Sequence, residues 1–517
     1  MSNLQEALST LAPARLQGIR RGIEKESLRA AATGALAPTP HPDALGSALT
    51  HPNITTDYSE SQLELITGVH ASVEQCLEEL TQVHQFVYRA LGDELMWASS
   101  MPCTLPADET IPIGRYGSSN VGRAKSVYRM GLAHRYGRRM QTISGIHYNW
   151  SLPGVSDAQY FGLIRNFRRH AFLLLYLFGA SPAACSSFVT GRKHELQTLS
   201  PGTVYMPYGT SLRMGRLGYQ SDAQASLAVS YNSLEGYADS LYEALTKPYP
   251  AYEAIGIVNP GGEYNQLATS LLQIENEFYG TIRPKRVIRP GERPLHALRE
   301  RGVEYVEVRL MDLDPFVPVG IKAQTIRFLD IFLLHCLLSD SPHDTPAEIA
   351  ALGRNQHRTA AFGRDPALVL ERDGREAKLT DWGAEIVAEC APIAQLLDRV
   401  HDTSDYGDAL RAAEALLGNP DMLSSARVLA AMARDHSNSF SAFSLAQSEQ
   451  LKAKLLKLPY GGTLHAHLEA VARQSVEDQR AVEAADTMQF EQYRQQYISA
   501  ERLGLGKAAV APALAAV

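Results

Sequence analysis

The chain has 517 residues, of which 45% are hydrophobic, and its formal net charge is −7. This composition is typical of a globular protein with one large domain or two to three smaller ones. The 49 basic residues are outnumbered by 56 acidic residues, which argues against a dedicated nucleic-acid binder.

The cysteine pattern and the apolar runs predict a cytoplasmic protein that does not enter a membrane. Residues 1–17 have the pattern of a short amphipathic helix and lack the regions of a secretory signal. The longest apolar runs, 171–180 and 331–338, are too short to span a bilayer. The five cysteines never form a CxxC pair, which argues against a disulfide framework or a structural zinc site.

After the N-terminal helix, strands and long helices follow each other at irregular spacing. Hydrophobic periodicity predicts, in chain order, strands at 22–29 and 61–67, a helix at 72–98, a strand at 144–152, helices at 157–180 and 222–247, strands at 273–280 and 303–312, and a helix at 322–339. Residues 340–380, rich in Asp, Pro, Gly and Arg, are interpreted as a peripheral connection. From about residue 381 the pattern is helical, and the Ala-rich end, 506–517, is expected to be frayed.

This arrangement favours an α+β fold with a mixed or antiparallel sheet. A doubly wound parallel sheet would require regular alternation of strands and helices, which the sequence does not show.

Several predicted strands combine an apolar face with a face rich in carboxylates. Glu24 and Glu26 lie two residues apart and therefore share one face of their strand. For a single strand, the simplest interpretation is a face in contact with solvent. The recurrence of Glu on several strands, with His147 on another, instead favours a site for a hard divalent cation such as Mg²⁺ or Mn²⁺. Converging carboxylates need such a cation because burying them unpaired is costly.

A Mg²⁺ site of this kind usually also holds a phosphate group, and the chain offers matching cations. Arg309 follows Glu307 by two residues, and Arg283 and Lys285 lie in the run 282–286. That run is equally compatible with a solvated basic loop. The chain contains no GxxxxGK[ST] motif, no GxGxxG after a predicted strand, no HExxH and no GxSxG.

Seven segments, in this order, resemble the glutamate–cysteine ligase family, and more narrowly its proteobacterial type. They are GIRRGIEKESLR, ALGSALTHPNITTDYSESQLELIT, MQTISGIHYNWSLP, YLFGASPAACSSF, SLRMGRLGY, LLQIENEFYGTIRPKR and EYVEVRLMDLDPF. The resemblance runs from about residue 15 to 340, and EAADTMQF, residues 483–490, extends it weakly. It implies a glutamine-synthetase-like fold, in which a curved, mainly antiparallel sheet forms a funnel surrounded by helices. The expected organisation is a catalytic core, 1–345, with a mainly helical part, 346–517, packed on it.

The resemblance also implies roles for individual residues. The expected metal ligands, for two or three Mg²⁺ ions or for Mn²⁺, are Glu24, Glu26, Asp57, Glu64, His147 and Glu307. Arg309 is expected against the transferred phosphoryl group, where it and Glu307 form the catalytic pair. Gln141, Asn149 and Asn276, with Arg309, are expected around ATP and the γ-carboxylate. Tyr128, Arg213, Tyr219 and Tyr279 resemble the residues around the acceptor cysteine.

The implied activity is ATP-dependent ligation of the γ-carboxylate of L-glutamate to the amine of L-cysteine, through γ-glutamyl phosphate. Glutathione is the expected feedback inhibitor, and a monomer is favoured. The alternatives are a related ligase that uses ammonia or another amine, a metal-dependent phosphatase or hydrolase, and a non-catalytic nucleotide-binding relative. The acceptor residues favour an amino-acid acceptor, and the intact set of metal ligands favours an active enzyme.

Overall fold

The structure, a computed structural model, describes residues 3–218, 222–225 and 227–504. Within these ranges the strands are β1 (Arg20–Ala30), β2 (Ile54–Thr56), β3 (Gln62–Ile66), β4 (Leu95–Met96), β5 (Ile146–Ser151), β6 (Ala183–Cys185), β7 (Gln197–Ser200), β8 (Thr203–Tyr205), β9 (Ile282–Lys285), β10 (Tyr305–Met311), β11 (Val369–Arg372) and β12 (Arg375–Lys378). The α-helices are α1 (Asn3–Ser9), α2 (Pro13–Gln17), α3 (Val73–Ala90), α4 (Asn120–Tyr136), α5 (Asp157–Phe178), α6 (Asp222–Ala225), α7 (Leu234–Thr246), α8 (Pro250–Glu253), α9 (Pro294–Arg301), α10 (Ala323–Leu338), α11 (Pro346–Phe362), α12 (Leu379–His401), α13 (Asp405–Gly418), α14 (Ser424–Asp435), α15 (Phe440–Lys457), α16 (Thr463–Ala485) and α17 (Phe490–Ile498).

The largest sheet is antiparallel, with strand order β2-β3-β1-β5-β10-β9, and β4 pairs with the end of β1. A smaller sheet has the order β6-β8-β7, and β11 and β12 form a separate hairpin. Helices surround the large sheet, so the predicted α+β class with a mainly antiparallel sheet is confirmed.

One face of the large sheet is apolar and is covered by helices. Ile23 lies opposite Tyr148 across β1 and β5, and Val308 of β10 pairs with the same tyrosine. All three belong to the main hydrophobic core, in which α5 packs on β10 and α3 packs on β1 and β3. Burying each such side chain contributes about 1.5–3 kcal/mol. The alternation along each strand therefore leaves the carboxylate-bearing face free for a site.

A buried ion pair joins this sheet to α10. Arg21 Nη2 lies 2.8 Å from Asp330 Oδ2, and both side chains are essentially inaccessible to solvent. Tyr148 donates a hydrogen bond of 2.6 Å to the other carboxylate oxygen of Asp330. The aspartate therefore connects two strands of the sheet to the helix behind them.

The strand predicted at 273–280 is wrong, because this segment contains a 3₁₀ turn at Glu275–Glu277. The Glu277 carboxylate accepts hydrogen bonds from the backbone N–H of Gln273 at 2.7 Å and from Arg135 at 2.9 Å. Glu275 instead pairs with Arg293. These contacts fold the segment on itself, so its alternating pattern does not reflect pairing in a sheet.

Other predictions also differ from the structure: the helix expected at 72–98 ends at Ala90, and Leu95–Met96 form β4. The single helix expected at 222–247 is divided into α6 and α7, because Ser233 caps a new helix by accepting a hydrogen bond from Gly236 N at 3.0 Å. The connection expected at 340–380 contains α11 and the β11–β12 hairpin. Thr345 starts α11 by accepting from Glu348 N, with Pro346 at the first helical position.

The C-terminal part is helical from α12 to α17, as predicted, and the Ala-rich end lies outside the described residues. Leu333 of α10 and Ile393 of α12 belong to the same hydrophobic core, so the two predicted parts share it. The boundary at residue 345 stays a prediction. In the described part of the chain, every helix is too short or too polar to cross a bilayer.

Candidate active site

The strand registers bring the predicted ligands to one face of the sheet. Glu24 of β1 lies opposite His147 of β5, and Glu26 lies opposite Glu64 of β3. On the other side of β5, Glu307 of β10 lies opposite Asn149. Because side chains alternate along each strand, these residues converge although they come from four strands.

His147 is at the centre of this carboxylate cluster. Its Nδ1 lies 3.2 Å from Glu24 Oε2 and 3.9 Å from Glu307 Oε1. Its Nε2 lies 3.5 Å from Glu26 Oε1 and makes no hydrogen bond within the described ranges. Ligand atoms of Glu24, Glu64 and His147 all lie within 4.8 Å of one another.

Two carboxyl groups of the cluster have raised pKa values. Burial and the carboxylates of Glu24 and Asp57 raise the pKa of Glu64 well above its usual range. Burial likewise raises the pKa of Glu26. A cation among these groups would keep them ionised. The oxygen-rich donor set, with one unsatisfied buried imidazole nitrogen, therefore fits Mg²⁺ or Mn²⁺.

Lys285 and Arg309 lie beside the carboxylates, and we call these two residues the basic wall. Lys285 Nζ and Arg309 Nη1 contact the Glu307 carboxylate at 3.2 and 3.1 Å. Burial alone would raise the pKa of Glu307, but Lys285 and Arg309 hold it well below its usual range. Lys285 lies on β9, together with Arg283, so the solvated-loop interpretation of this run is wrong for 282–285. The wall offers cationic groups of the kind that bind phosphate oxygens.

The carboxylates and the basic wall line one cavity of about 540 Å³. The predicted residues among its lining are Glu24, Glu26, Asp57, Glu64, Tyr128, Gln141, His147, Asn276, Tyr279, Glu307 and Arg309. Gln141 donates a hydrogen bond of 2.9 Å to the Tyr279 hydroxyl, which places an amide and a phenol side by side in the lining.

Two of the predicted residues are placed differently. Asn149 does not line the cavity but donates a hydrogen bond of 2.9 Å to Glu24 Oε1, so it orients that carboxylate. Arg213 is buried behind the lining and donates to the carbonyl oxygen of Arg309 at 2.8 Å. Its guanidinium lies against Gly145, where an added Cβ would clash with it. Tyr219 lies outside the described residues.

Sequence reasoning missed the part of the lining that comes from the C-terminal helices. Tyr493 and Tyr497 of α17 line the cavity, with ring centroids 5.9 Å apart and planes at 9°. Arg293 holds Tyr497 by donating to its carbonyl oxygen at 2.6 Å. The weak family resemblance of residues 483–490 was the sequence feature that could have indicated this part of the lining. In that segment Met488 O accepts a hydrogen bond of 2.9 Å from Asn120, the first residue of α4.

Two kinds of sequence comparison agree on the family. The profile of the glutamate–cysteine ligase family matches residues 5–359. The glutamate–cysteine ligase of Alcanivorax borkumensis is 46% identical over 523 aligned residues, covering 96% of this chain and 99% of the relative. The glutamate–cysteine ligase of Azotobacter vinelandii is 49% identical over 493 residues, covering 91% of this chain and 93% of the relative.

Solved structures show the same similarity. The crystal structure of a Francisella tularensis glutamate–cysteine ligase in complex with AMP matches with a TM-score of 0.88 and 37% identity, covering 93% of this chain and 97% of that chain. A bifunctional glutathione synthetase from Pasteurella multocida matches with a TM-score of 0.68 and 26% identity, covering 91% of this chain and 57% of that chain. By sequence and by fold, the chain belongs to the glutamate–cysteine ligase family.

Proposed function

We propose that the protein joins the γ-carboxylate of L-glutamate to the amine of L-cysteine, with conversion of ATP to ADP and phosphate. The observation that carries this proposal is a single cavity in which the Glu24–Glu64–His147 cluster lies beside Arg309 and Lys285. A ligase that activates a carboxylate with ATP needs both a cation site and a phosphate-binding wall. Membership of the family supports the same activity.

The basic wall is held in place by a carboxylate of the site itself. Arg309 and Lys285 both contact Glu307, which restricts their side chains and directs them along the cavity. Such preorganised charges stabilise the negative charge on a transferring phosphoryl group. Held by Glu24, Glu26, Asp57, Glu64, His147 and Glu307, Mg²⁺ would neutralise phosphate charge as a Lewis acid.

The reaction takes place in two steps. An oxygen of the γ-carboxylate attacks the γ-phosphorus of ATP, the bond to the ADP oxygen breaks, and γ-glutamyl phosphate forms. The cysteine nitrogen then attacks the acyl carbon, phosphate leaves, and the amine loses a proton. ATP is needed because a free carboxylate is a poor acyl donor. Arg309 stabilises the oxygens of the transferred group, and no covalent protein nucleophile is required.

We assign the acceptor side of the cavity to Tyr128 and Tyr279, which offer hydroxyl groups to a polar substrate. Gln141 positions the Tyr279 hydroxyl through their hydrogen bond. Arg213 acts as a positioning residue, because it reaches the site through the backbone carbonyl of Arg309. Tyr219 is assigned to the acceptor side from the family resemblance.

Phosphate release from ATP, with Mg²⁺ and glutamate, tests the proposal when cysteine, 2-aminobutyrate, ammonia and no amine are compared. Release that depends on glutamate and rises strongly with cysteine supports it. Equal rates with ammonia would show that the acceptor assignment is wrong. Release without glutamate, or no release with any amine, would contradict a ligase.

The proposal also includes feedback inhibition by glutathione, a cytoplasmic location and a monomeric enzyme. Glutathione contains the γ-glutamylcysteine unit and can therefore compete for the product side of the cavity. The five cysteines are all free and buried, which suits the reducing cytoplasm. We propose a monomer as the active form, because one chain supplies the carboxylates, Lys285 and Arg309 that line the cavity.

A further inference from the structure

Outside the active-site cavity, two histidines and a cysteine meet between α5 and α10. His170, His335 and Cys336 each offer one ligand atom, and these atoms lie within 4.8 Å of one another. His335 and Cys336 are almost completely buried, with 1% and 0% of their surfaces exposed. We call these three residues the His–Cys cluster. None of them lines the active-site cavity.

The hydrogen bonds of the cluster leave two imidazole nitrogens available. His335 Nε2 lies 2.8 Å from Glu389 Oε2 of α12, and an ionised carboxylate can only accept. This bond places the proton on Nε2 and the lone pair on Nδ1. His335 Nδ1 and His170 Nδ1 are both buried and have no hydrogen-bond partner in the part of the chain that the structure describes. Buried polar atoms are rarely left in this state.

A carboxylate that orients a histidine while the other ring nitrogen faces inward is the usual outer shell of a transition-metal ligand. Two imidazoles and a thiolate match the preference of Zn²⁺ for nitrogen and sulfur. Tetrahedral bonds of about 2.0–2.3 Å place ligand atoms about 3.3–3.8 Å apart. The longest separation between ligand atoms in the cluster therefore needs to shorten by at most about 1–1.5 Å. The absence of CxxC does not exclude such a site, because two of its ligands are histidines.

We propose that His170, His335 and Cys336 bind one Zn²⁺ ion, with Glu389 as the residue that orients His335. Binding converts the Cys336 thiol to a thiolate and releases its proton to solvent, and water completes the four ligands. The Glu389 side chain is 58% exposed, so the ion can enter from the surface beside α12. The metal joins α5 to α10, two helices that pack behind the sheet.

Cobalt substitution tests the site without recourse to enzyme activity. The full chain, stripped of metal and kept in excess Mg²⁺, is titrated with Co²⁺ and then with Zn²⁺. A thiolate-to-cobalt charge-transfer band that Zn²⁺ removes is the expected result. The active-site cavity cannot produce this band, because no cysteine is among its lining residues. About one tightly held Zn²⁺ per chain should accompany it.

Variants test which residues bind the Co²⁺ ion that produces the charge-transfer band. Cys336→Ala should abolish it, whereas Cys103→Ala, which removes a buried thiol in a different hydrophobic cluster, should keep it. Glu389→Gln should weaken Co²⁺ binding about 10- to 100-fold. Glu385→Gln, one turn earlier on α12, removes a carboxylate that pairs with Arg372 and should leave Co²⁺ binding unchanged. A missing band in the unaltered protein, or a band that persists in Cys336→Ala, would overturn the proposal.

Discussion

Glu24 and His147 are direct cross-strand partners in the large sheet, and Glu24 Oε2 lies 3.2 Å from His147 Nδ1. The pair joins β1 to β5 at the point where carboxylates from β3 and β10 also converge. Asn149, two residues along β5, holds the second oxygen of Glu24. One carboxylate is thus oriented from both sides and directed at the cluster that we assign to the divalent cation.

Replacement of Glu24 by Gln should lower kcat on the order of 100-fold, because a neutral amide is a poor ligand for a hard cation. The apparent Mg²⁺ requirement should rise at the same time. Phosphate release, measured across a Mg²⁺ titration with glutamate and cysteine present, checks both effects. Glu78→Gln on the exposed side of α3 is the matched control and should leave the rate unchanged. Unaltered Mg²⁺ dependence in Glu24→Gln would contradict the assignment.

Replacement of Tyr497 by Ala should raise the KM for ATP about tenfold or more, with smaller effects on the KM values for glutamate and cysteine. Adenine is the one aromatic ring among the three substrates, and stacking of a base on an aromatic side chain contributes about 1–3 kcal/mol. Initial-rate kinetics with each substrate varied in turn provide the measurement. Tyr242→Ala, at an exposed position, is the control. A selective rise in the KM for cysteine would instead place α17 at the acceptor side.

Replacement of Asp330 by Asn should destabilise the fold by about 3–5 kcal/mol, because Arg21 is then left charged and unpaired in the core. Urea denaturation followed by far-UV circular dichroism measures the loss. The exposed pair Asp408–Arg411 supplies the control, since Asp408→Asn should cost less than about 1 kcal/mol. The double variant Arg21→Met/Asp330→Asn should recover part of the stability. A single variant as stable as wild type would refute the structural role of the pair.

The free energy of unfolding should fall as the pH is lowered from 6.5, the usual pKa of histidine, to about 4, the pKa of His51 in the folded chain. Burial, with a contribution from His467, lowers the pKa of His51 from its usual 6.5 to about 4. Its Nδ1 accepts hydrogen bonds from the N–H groups of Asn53 and Ile54 at 3.0 and 3.1 Å, so protonation there would break both. Between these pH values the unfolded chain binds the proton and the folded chain does not, which removes stability as the pH falls.

The variant His51→Asn isolates this contribution. The asparagine Oδ1 can accept the same two hydrogen bonds but does not titrate. Between pH 6.5 and 4 the free energy of unfolding of this variant should therefore fall by about 2 kcal/mol less than that of wild type. Urea denaturation at several pH values measures the difference. His194→Asn, at an exposed position, should follow the wild-type curve. Parallel curves for wild type and His51→Asn would show that His51 does not titrate in this range.

Local pattern was a good guide wherever a strand had one apolar and one polar face. The segments around Glu24, His147 and Glu307 were predicted as strands, and the structure has β1, β5 and β10 there. The same alternation at 273–280 was misleading, because Glu275 and Glu277 are held by Arg293 and Arg135. Those arginines lie outside the local window, so periodicity could not reveal them.

The amino-acid sequence was sufficient for the carboxylate-bearing strand faces and the family, because alternation and ordered motifs are local properties of the chain. The position of Arg213 behind the lining, the α17 tyrosines beside the active site and the His–Cys cluster required the folded chain. Asp330 and Arg21, 309 residues apart, show why. Which distant side chains meet depends on how helices pack on the sheet, and that packing is set by the burial of the whole core rather than by any one segment.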